Sequence, residues 1–189
     1  MSLPTANPPA QSRNTLIELG AVLPQIVANL TALQAKGQPA FGRVEIFVGA
    51  NLLKAFEKLI ASSTTVALVI FAGDEFNKQL DGEELRITGD AEVTILFCAQ
   101  FMGDPSGAKA LSGDNTKPGL FALRDLVLPL FNGVLLADGP MGKTYAWPHS
   151  GECIPVSDPK RGRDVIAYRL TVKLNSGELS TNLGPYPMP

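Results

Sequence analysis

Two segments in which apolar and other side chains alternate constrain the fold of this 189-residue chain most strongly. In a predicted strand spanning residues 85–101, the apolar positions are Ala91, Val93, Ile95, Phe97, Ala99 and Phe101. In residues 165–174 they are Ile166, Tyr168, Leu170, Val172 and Leu174. A period of two is that of a strand with one buried face, and two such strands predict a mainly antiparallel sheet. The sheet needs a cover, so the sequence predicts an α+β fold with the sheet packed against helices.

Three segments are predicted to supply these helices. Thr15 and Glu18 form a capping-box pattern at the start of the first helix, which Lys36-Gly37 should end and Pro24 should kink or split. The second helix spans residues 51–60, with Asn51 as its cap. The third spans residues 118–131, where Pro129 disturbs the end and Asn132-Gly133 closes it.

Further strands are predicted at residues 43–48 and 65–72. The second of these is apolar on both sides, which is typical of a strand at the centre of a sheet. Gly89-Asp90 predicts a bulge or turn near the start of the long alternating strand.

One domain is expected at residues 15–175, because the length suits a single core. Residues 1–14 are rich in Pro, Ala and Ser and predict a flexible arm, and residues 176–189 predict a flexible tail. Residues 103–117 are polar and Gly-rich, so we expect a long exposed loop that is mobile in a monomer and ordered in an assembly.

The composition argues against several classes of function. Sixteen basic against eighteen acidic residues give a net charge of -2, which provides no broad basic field for nucleic acid. Cys98 and Cys153 lack zinc spacing, and we expect both to be buried free thiols. The first ten residues do not look like a secretory signal, and residues 16–35 are too polar for a membrane span, so the chain is expected in the cytoplasm where it is made.

Residues 137–144, Ala-Asp-Gly-Pro-Met-Gly-Lys-Thr, resemble the loop that nucleotide-hydrolysing enzymes wrap around a phosphate. Such a loop needs a long helix directly after the Thr, and Pro148 and Gly151 oppose one here. We therefore interpret Gly139-Pro140 and Gly142 as turn residues between a helix and a strand, and predict no cofactor.

Two other clusters are weaker candidates for chemistry. His149, the single histidine, lies near Ser150, Glu152 and Cys153, but no residue is evident that would orient its ring for catalysis. One histidine also makes a protein-held zinc site improbable, so no metal and no catalytic residue are predicted. Residues 160–163, Lys-Arg-Gly-Arg, are flanked by acids and are interpreted as a solvated hairpin turn.

The predicted order of elements resembles that of bacteriophage tail-terminator proteins, especially the Mu-like prophage minor tail protein family. The resemblance covers residues 15–175 and departs in the Pro-rich arm and in the extra helix at residues 52–60. It rests on the segments 65–72, 95–101, 119–127 and 165–174.

This resemblance implies a tail-terminator-like fold and a structural protein without an active site. Such a protein forms a ring, a homohexamer, that ends polymerisation of the tail tube and joins it to the head connector. The partners would be copies of the chain, the tail tube protein and a head-completion protein, with no membrane and no specific nucleic acid. The location would be the virion tail, assembled in the bacterial cytoplasm.

Four residues are predicted to lie at a subunit interface. Asp104, Lys109 and Lys117 belong to the polar segment that could reach across a boundary, and Trp147 is an aromatic anchor or a core residue. The alternatives left open are a small head-tail connector and a nucleotide-binding enzyme that uses Lys143 and Thr144.

Overall fold

The chain has an α+β fold in which helices pack on a mostly antiparallel sheet. The computed structural model describes residues 17–81, 84–101, 104, 107–139, 142–158 and 163–176. Its helices are α1 (Leu19–Ala32), α2 (Leu52–Ser62), α3 (Ala108–Ser112), α4 (Leu120–Val127) and a 3-10 turn at Leu128–Phe131. Its strands are β1 (Gln34–Ala35), β2 (Gln38–Pro39), β3 (Arg43–Ile46), β4 (Thr65–Asp81), β5 (Glu84–Ala99), β6 (Val134–Gly139), β7 (Gly142–Asp158) and β8 (Arg163–Ser176).

Six strands form the main sheet in the order β3-β4-β5-β8-β7-β6. All neighbours are antiparallel except β3 and β4, which are parallel and are joined through α2. Parallel neighbours need a crossover connection, and α2 supplies it. The two strands predicted from alternation, β5 and β8, lie side by side at the centre.

The sheet curls around α1, because α1 contacts both edge strands, β3 and β6. We call the face toward α1 and α4 the inner face and the opposite one the outer face. On α1, Val22, Ile26 and Leu30 recur every four residues and are completely buried in the inner core. That core also holds the predicted alternating side chains of β5 and β8, including Ile95 and Leu170.

A smaller core lies on the outer face under α2. Phe56, Leu59 and Ile60 pack there with residues of four strands, among them Leu68 and Cys98. Asn51 caps α2 as predicted, since its Oδ1 accepts a hydrogen bond from the Lys54 amide at 2.9 Å.

The first helix differs from its prediction at both ends. It begins at Leu19 with Glu18 at the N-cap and no side-chain capping hydrogen bond, and Thr15 lies outside the described residues. It continues through Pro24 instead of splitting. Lys36 and Gly37, with φ of 53° and 77°, form the turn between β1 and β2, a two-residue hairpin turn that needs positive φ at both positions.

Two predictions about strands are wrong. The apolar run at residues 65–72 begins β4, which is second from the edge and not central, although helices cover both its faces there. Gly89-Asp90 pairs in register with β4, and the irregularity lies opposite, between Phe71 and Gly73. A bulge shifts one strand against its partner, so a Gly in the sequence does not say which strand carries it.

The third helix ends as the sequence indicates. Because Pro129 cannot donate a backbone hydrogen bond, α4 gives way to the 3-10 turn. Gly133 follows with φ of 71°, and a Cβ built on it would lie 2.8 Å from Cη2 of Trp147. Both the backbone conformation and the contact therefore require glycine.

Phe97 holds the inner core together, with its ring 5.9 Å from that of Phe41 and 5.3 Å from that of Tyr168. We predict that Phe97→Ala lowers the free energy of unfolding by about 3–5 kcal/mol, because a fully buried ring leaves a cavity. Phe121 is 49% exposed, so Phe121→Ala should change it by less than about 1 kcal/mol. Urea denaturation of both variants measures this, and equal losses would contradict the assignment of the core.

Candidate functional site

The phosphate-loop pattern lies in a β-hairpin. Ala137 pairs with Thr144, Asp138 with Lys143, and Gly139 with Gly142, and β7 then continues as a strand to Asp158. A phosphate loop requires the amides at the start of a helix, and a strand ladder directs successive amides to alternate sides instead. Gly139 and Gly142 thus pair as the last described residues of two strands, so they do not lie between a helix and a strand as predicted, and Pro140 lies outside the described residues.

The residues around His149 do not converge. Pro148 to Ser150 is an irregularity in β7, and His149 is exposed. Glu152 forms an ion pair with Arg169 on the neighbouring strand, while Cys153 is the next residue on the strand and so points to the other face. The expectation that both cysteines are buried is wrong for Cys153, which is exposed, and right for Cys98.

The remaining candidates give little chemistry. In the described ranges, no group of three or more His, Cys, Asp or Glu residues is arranged to hold a metal ion. None of the helices in the described part of the chain is both long and apolar enough to cross a bilayer. Of the basic run at residues 160–163, only Arg163 is described, and it pairs with Asp158 at the end of the β7–β8 hairpin.

The polar segment at residues 103–117 is more structured than an exposed loop. Asp104 is buried, and its Oδ2 accepts hydrogen bonds from the amides of Lys109 at 2.7 Å and Ala110 at 3.2 Å, at the start of α3. A carboxylate at this position satisfies amides that would otherwise lack partners. The helix α3 was not predicted, because it is only five residues long and Gly-rich sequence surrounds it.

Asp114 organises the turn after α3. Its Oδ1 accepts hydrogen bonds from the Thr116 amide at 2.8 Å, the Thr116 hydroxyl at 2.7 Å and the Lys117 amide at 2.9 Å. These hydrogen bonds favour the carboxylate and lower the pKa of Asp114 to about 2, and the bond from the Thr116 hydroxyl has the largest effect. The segment is also tied to the body, since Lys36 Nζ donates to the Asp114 carbonyl and Lys117 Nζ to Thr64 Oγ1 at 3.4 Å.

The four residues predicted at an interface do not form one surface, although Asp104 contacts the Lys109 amide. Lys109 and Lys117 are exposed near α3, Asp104 is buried beneath it, and Trp147 lies on β7 on the outer face. Trp147 is 39% exposed and rests on Gly133.

The surroundings of Trp147 form a continuous surface on the outer face. Trp147 lies opposite Lys173 on β8. Tyr145, two residues before Trp147 and on the same face of β7, lies opposite Leu135 on β6. We call Leu135, Tyr145, Trp147 and Lys173 the aromatic patch.

A second surface was missed by the sequence analysis. β5 pairs with β8 only as far as Asp90, and β3 pairs with β4 only as far as Val69, whereas β4 and β5 continue to pair as far as Asp81 and Glu84. In the described residues these ends form a two-stranded ribbon. Asp81-Gly82 is a common hairpin dipeptide and was the available sequence signal.

The ribbon base carries exposed apolar and acidic side chains. Phe71 is 38% exposed and Phe76 57% exposed, and Asp74 and Glu75 lie between them. Beside them, a cavity of about 380 Å³ is lined by Asp74, Glu75, Glu92 and Lys173, among others. We use "ribbon base" below for Phe71, Asp74 and Phe76, which lie on the inner face, whereas Glu75 pairs with Asp90 and points to the outer face.

Comparison with protein-family models and with curated proteins finds no match to this sequence.

We predict that Asp114 titrates near pH 2, not near its ordinary value of 3.8. A lowered pKa means that the turn is stabilised by the carboxylate above pH 3.8, and that this contribution is lost as the pH falls through about 2. NMR titration of the Asp114 carboxyl carbon, followed with the Thr116 and Lys117 amides, measures the midpoint. A midpoint at or above 3.8 for all three signals would show that these hydrogen bonds do not form in solution.

Proposed function

We propose that this chain is a structural protein of a phage or prophage tail, which assembles with copies of itself into a hexameric ring. In this proposal the ring ends polymerisation of the tail tube and joins it to a connector of the head. The order of the predicted elements supports the family, and the α+β architecture is compatible with it.

The two-stranded ribbon is the observation that carries the proposal. From the pair Asn77–Thr88 outward, the strands pair with each other and, within the described residues, with no third strand; the last contact with β8 is that of Ser176 Oγ with the backbone of Gly89. A two-stranded hairpin is marginally stable in water, and three strands or a packed helix are needed for stability. A ribbon of this length is therefore a natural element for contact with another protein molecule.

The other hairpins differ from this ribbon in their support. At the end of the β7–β8 hairpin, Val156 and Val165 are buried in the core under α2. At the base of the β4–β5 ribbon, Phe71 and Phe76 are exposed instead. The β4–β5 ribbon is the better candidate for an intermolecular contact, since burial of exposed rings favours association.

A ring adds a geometric requirement. Each copy must offer two unlike surfaces, because a head-to-tail contact repeats around the ring and closes only at the right rotation. The ribbon base is one such surface, and the aromatic patch on the far side of the sheet is a second one.

We predict that the protein at micromolar concentration elutes as a closed oligomer, whose mass from light scattering is a multiple of the 20.1 kDa chain. Negative-stain images should show rings, and rings added to polymerising tail tube protein should shorten the tubes. A ring that binds the head vertex and leaves tube length unchanged would indicate a connector instead.

A variant with a shortened ribbon tests whether the ribbon makes the contact between copies. Replacing residues 78–87 with a two-residue turn should leave the thermal unfolding of the body intact and yield monomers. The exposed pair Lys54→Ser and Lys58→Ser, on α2 and away from both surfaces, serves as the control and should still form rings. A monomeric wild-type protein at every concentration, with and without the tube protein, would overturn the proposed function.

A further inference from the structure

We infer that residues 1–16, which we call the N-terminal segment, lie on the ribbon base of the same copy and cover its two phenylalanine rings. This contact goes beyond the proposed function, because it is made within a single chain whether or not copies assemble. Three observations support it: the exposed rings, the place where the N-terminal segment joins the fold, and the composition of that segment.

The cover of the inner face ends between β5 and β4. Ala91, Leu174 and Ala146 form one row across β5, β8 and β7, and all three side chains are buried in the inner core. Asp74 continues this row on β4, opposite Ala91, and is exposed. The two rings of the ribbon base flank Asp74 on the same face and are 38% and 57% exposed. The ribbon base is therefore the uncovered surface next to the edge of the inner core.

The direction of α1 brings the start of the helix toward this edge. The C-terminal end of α1 lies at the start of β4, because the Leu33 carbonyl accepts a hydrogen bond from the Ala40 amide and the nearby Gly42 amide donates to the Thr65 carbonyl. From there its 14 residues extend about 21 Å over the inner face. Along this path α1 contacts β3 and also β6, which begins opposite Ala146 in the row just described. The N-terminal end of α1 therefore lies toward the end of the sheet where the ribbon leaves.

The N-terminal segment joins the fold on the inner face and is long enough to reach the ribbon base. Ile17 and Leu19 are half-buried against the inner core. The whole row from β6 to β4 covers four strand spacings, about 19 Å. Sixteen extended residues reach about 50 Å, so the ribbon base lies within range from any point of this row.

The composition of the N-terminal segment suits the ribbon base. The segment contains Leu3, Leu16 and three prolines, and such side chains bury phenylalanine rings favourably. Arg13 is its only charged side chain, and Asp74 is the only charged side chain of the ribbon base. An arginine can pair with a carboxylate and also stack on an aromatic ring. Arg13 is four residues before Ile17, so it is close to the point where the segment joins the fold.

Two other occupants are less favourable. The C-terminal residues 177–189 carry Glu178 as their only charged side chain, which would bring a like charge to Asp74. The N-terminal segment of a second copy has the right chemistry but not the concentration. A short covalent tether gives an effective concentration in the millimolar range, well above that of a separate molecule at micromolar concentration.

Photo-crosslinking of the full-length chain identifies the occupant. With p-benzoylphenylalanine in place of Phe76, an aromatic ring is kept at the ribbon base while its neighbours become covalently linked on illumination. The matched control has the same substitution at Phe121, an exposed ring on α4. Mass spectrometry of the peptides gives the partner, and the mass of the product shows whether one or two chains are joined. We expect links to residues 1–16 within one chain, at least tenfold more abundant from position 76 than from position 121.

Links mainly to residues 177–189 or to a second chain, or equal yields from positions 76 and 121, would show that the N-terminal segment does not cover the ribbon base. A charge exchange tests the assigned ion pair on the same background. Arg13→Glu should lower the yield by up to about fivefold, the most that an exposed pair contributes, and Arg13→Glu with Asp74→Arg should restore it. Equal yields in all three chains would contradict the pairing of Arg13 with Asp74.

One consequence depends on the proposed function. A neighbouring copy that binds the ribbon base must displace the N-terminal segment, so deletion of residues 1–14 should strengthen self-association several-fold in sedimentation velocity, with circular dichroism to show that the chain is folded. Crosslinks within one chain together with unchanged association would support the cover and place the contact between copies elsewhere. Rings without these crosslinks would overturn the cover and leave the proposed function intact.

Discussion

The rest of the structure depends on the packing of α1 between the two edges of the curled sheet. Val22, Ile26 and Leu30 are fully buried, and the side chains around them come from strands at both edges, such as Ile46 on β3 and Val134 on β6. Open sheet edges invite pairing with other chains, and a helix packed against them limits this. The surfaces that remain for a partner are the hairpin ends and the part of the outer face that α2 does not cover.

The hairpin at residues 137–144 shows why a short pattern of residue types does not define a site. The Gly-Lys-Thr triplet binds phosphate when the amides before it curl toward one point and a helix follows. In β7 the same triplet lies in a ladder, where Lys143 is exposed and Thr144 is 1% exposed. Adjacent side chains on a strand point to opposite faces, so these two residues cannot address one ligand. The apolar residues that follow, through Ala146, commit the segment to the sheet.

Structural features that are determined by residues close together in sequence could be predicted from the sequence, and features that depend on distant residues could not. The alternation in β5 and β8 and the cap of α2 are set by neighbours in sequence, and both were predicted correctly. β7 was missed because Pro148 and Gly151 are poor strand formers, and pairing with β8 over its whole length overrides their preference. Glycine is needed at position 151, because the Tyr168 hydroxyl occupies the space that a Cβ would take. The buried position of Asp104 depends on the five-residue helix that it caps, and neither could be inferred from the polar composition of that segment.

The candidate interface could not be predicted from sequence for a related reason. Trp147 was predicted to be either an anchor or a core residue, but its neighbours Leu135 and Lys173 come from two other strands, and only the register brings them to one face. The same holds for the ribbon base, because the register shift between Phe71 and Gly73 brings the exposed rings of Phe71 and Phe76 to one face. Where one strand stops and its neighbours continue, apolar side chains lose their cover, and a second molecule can restore it.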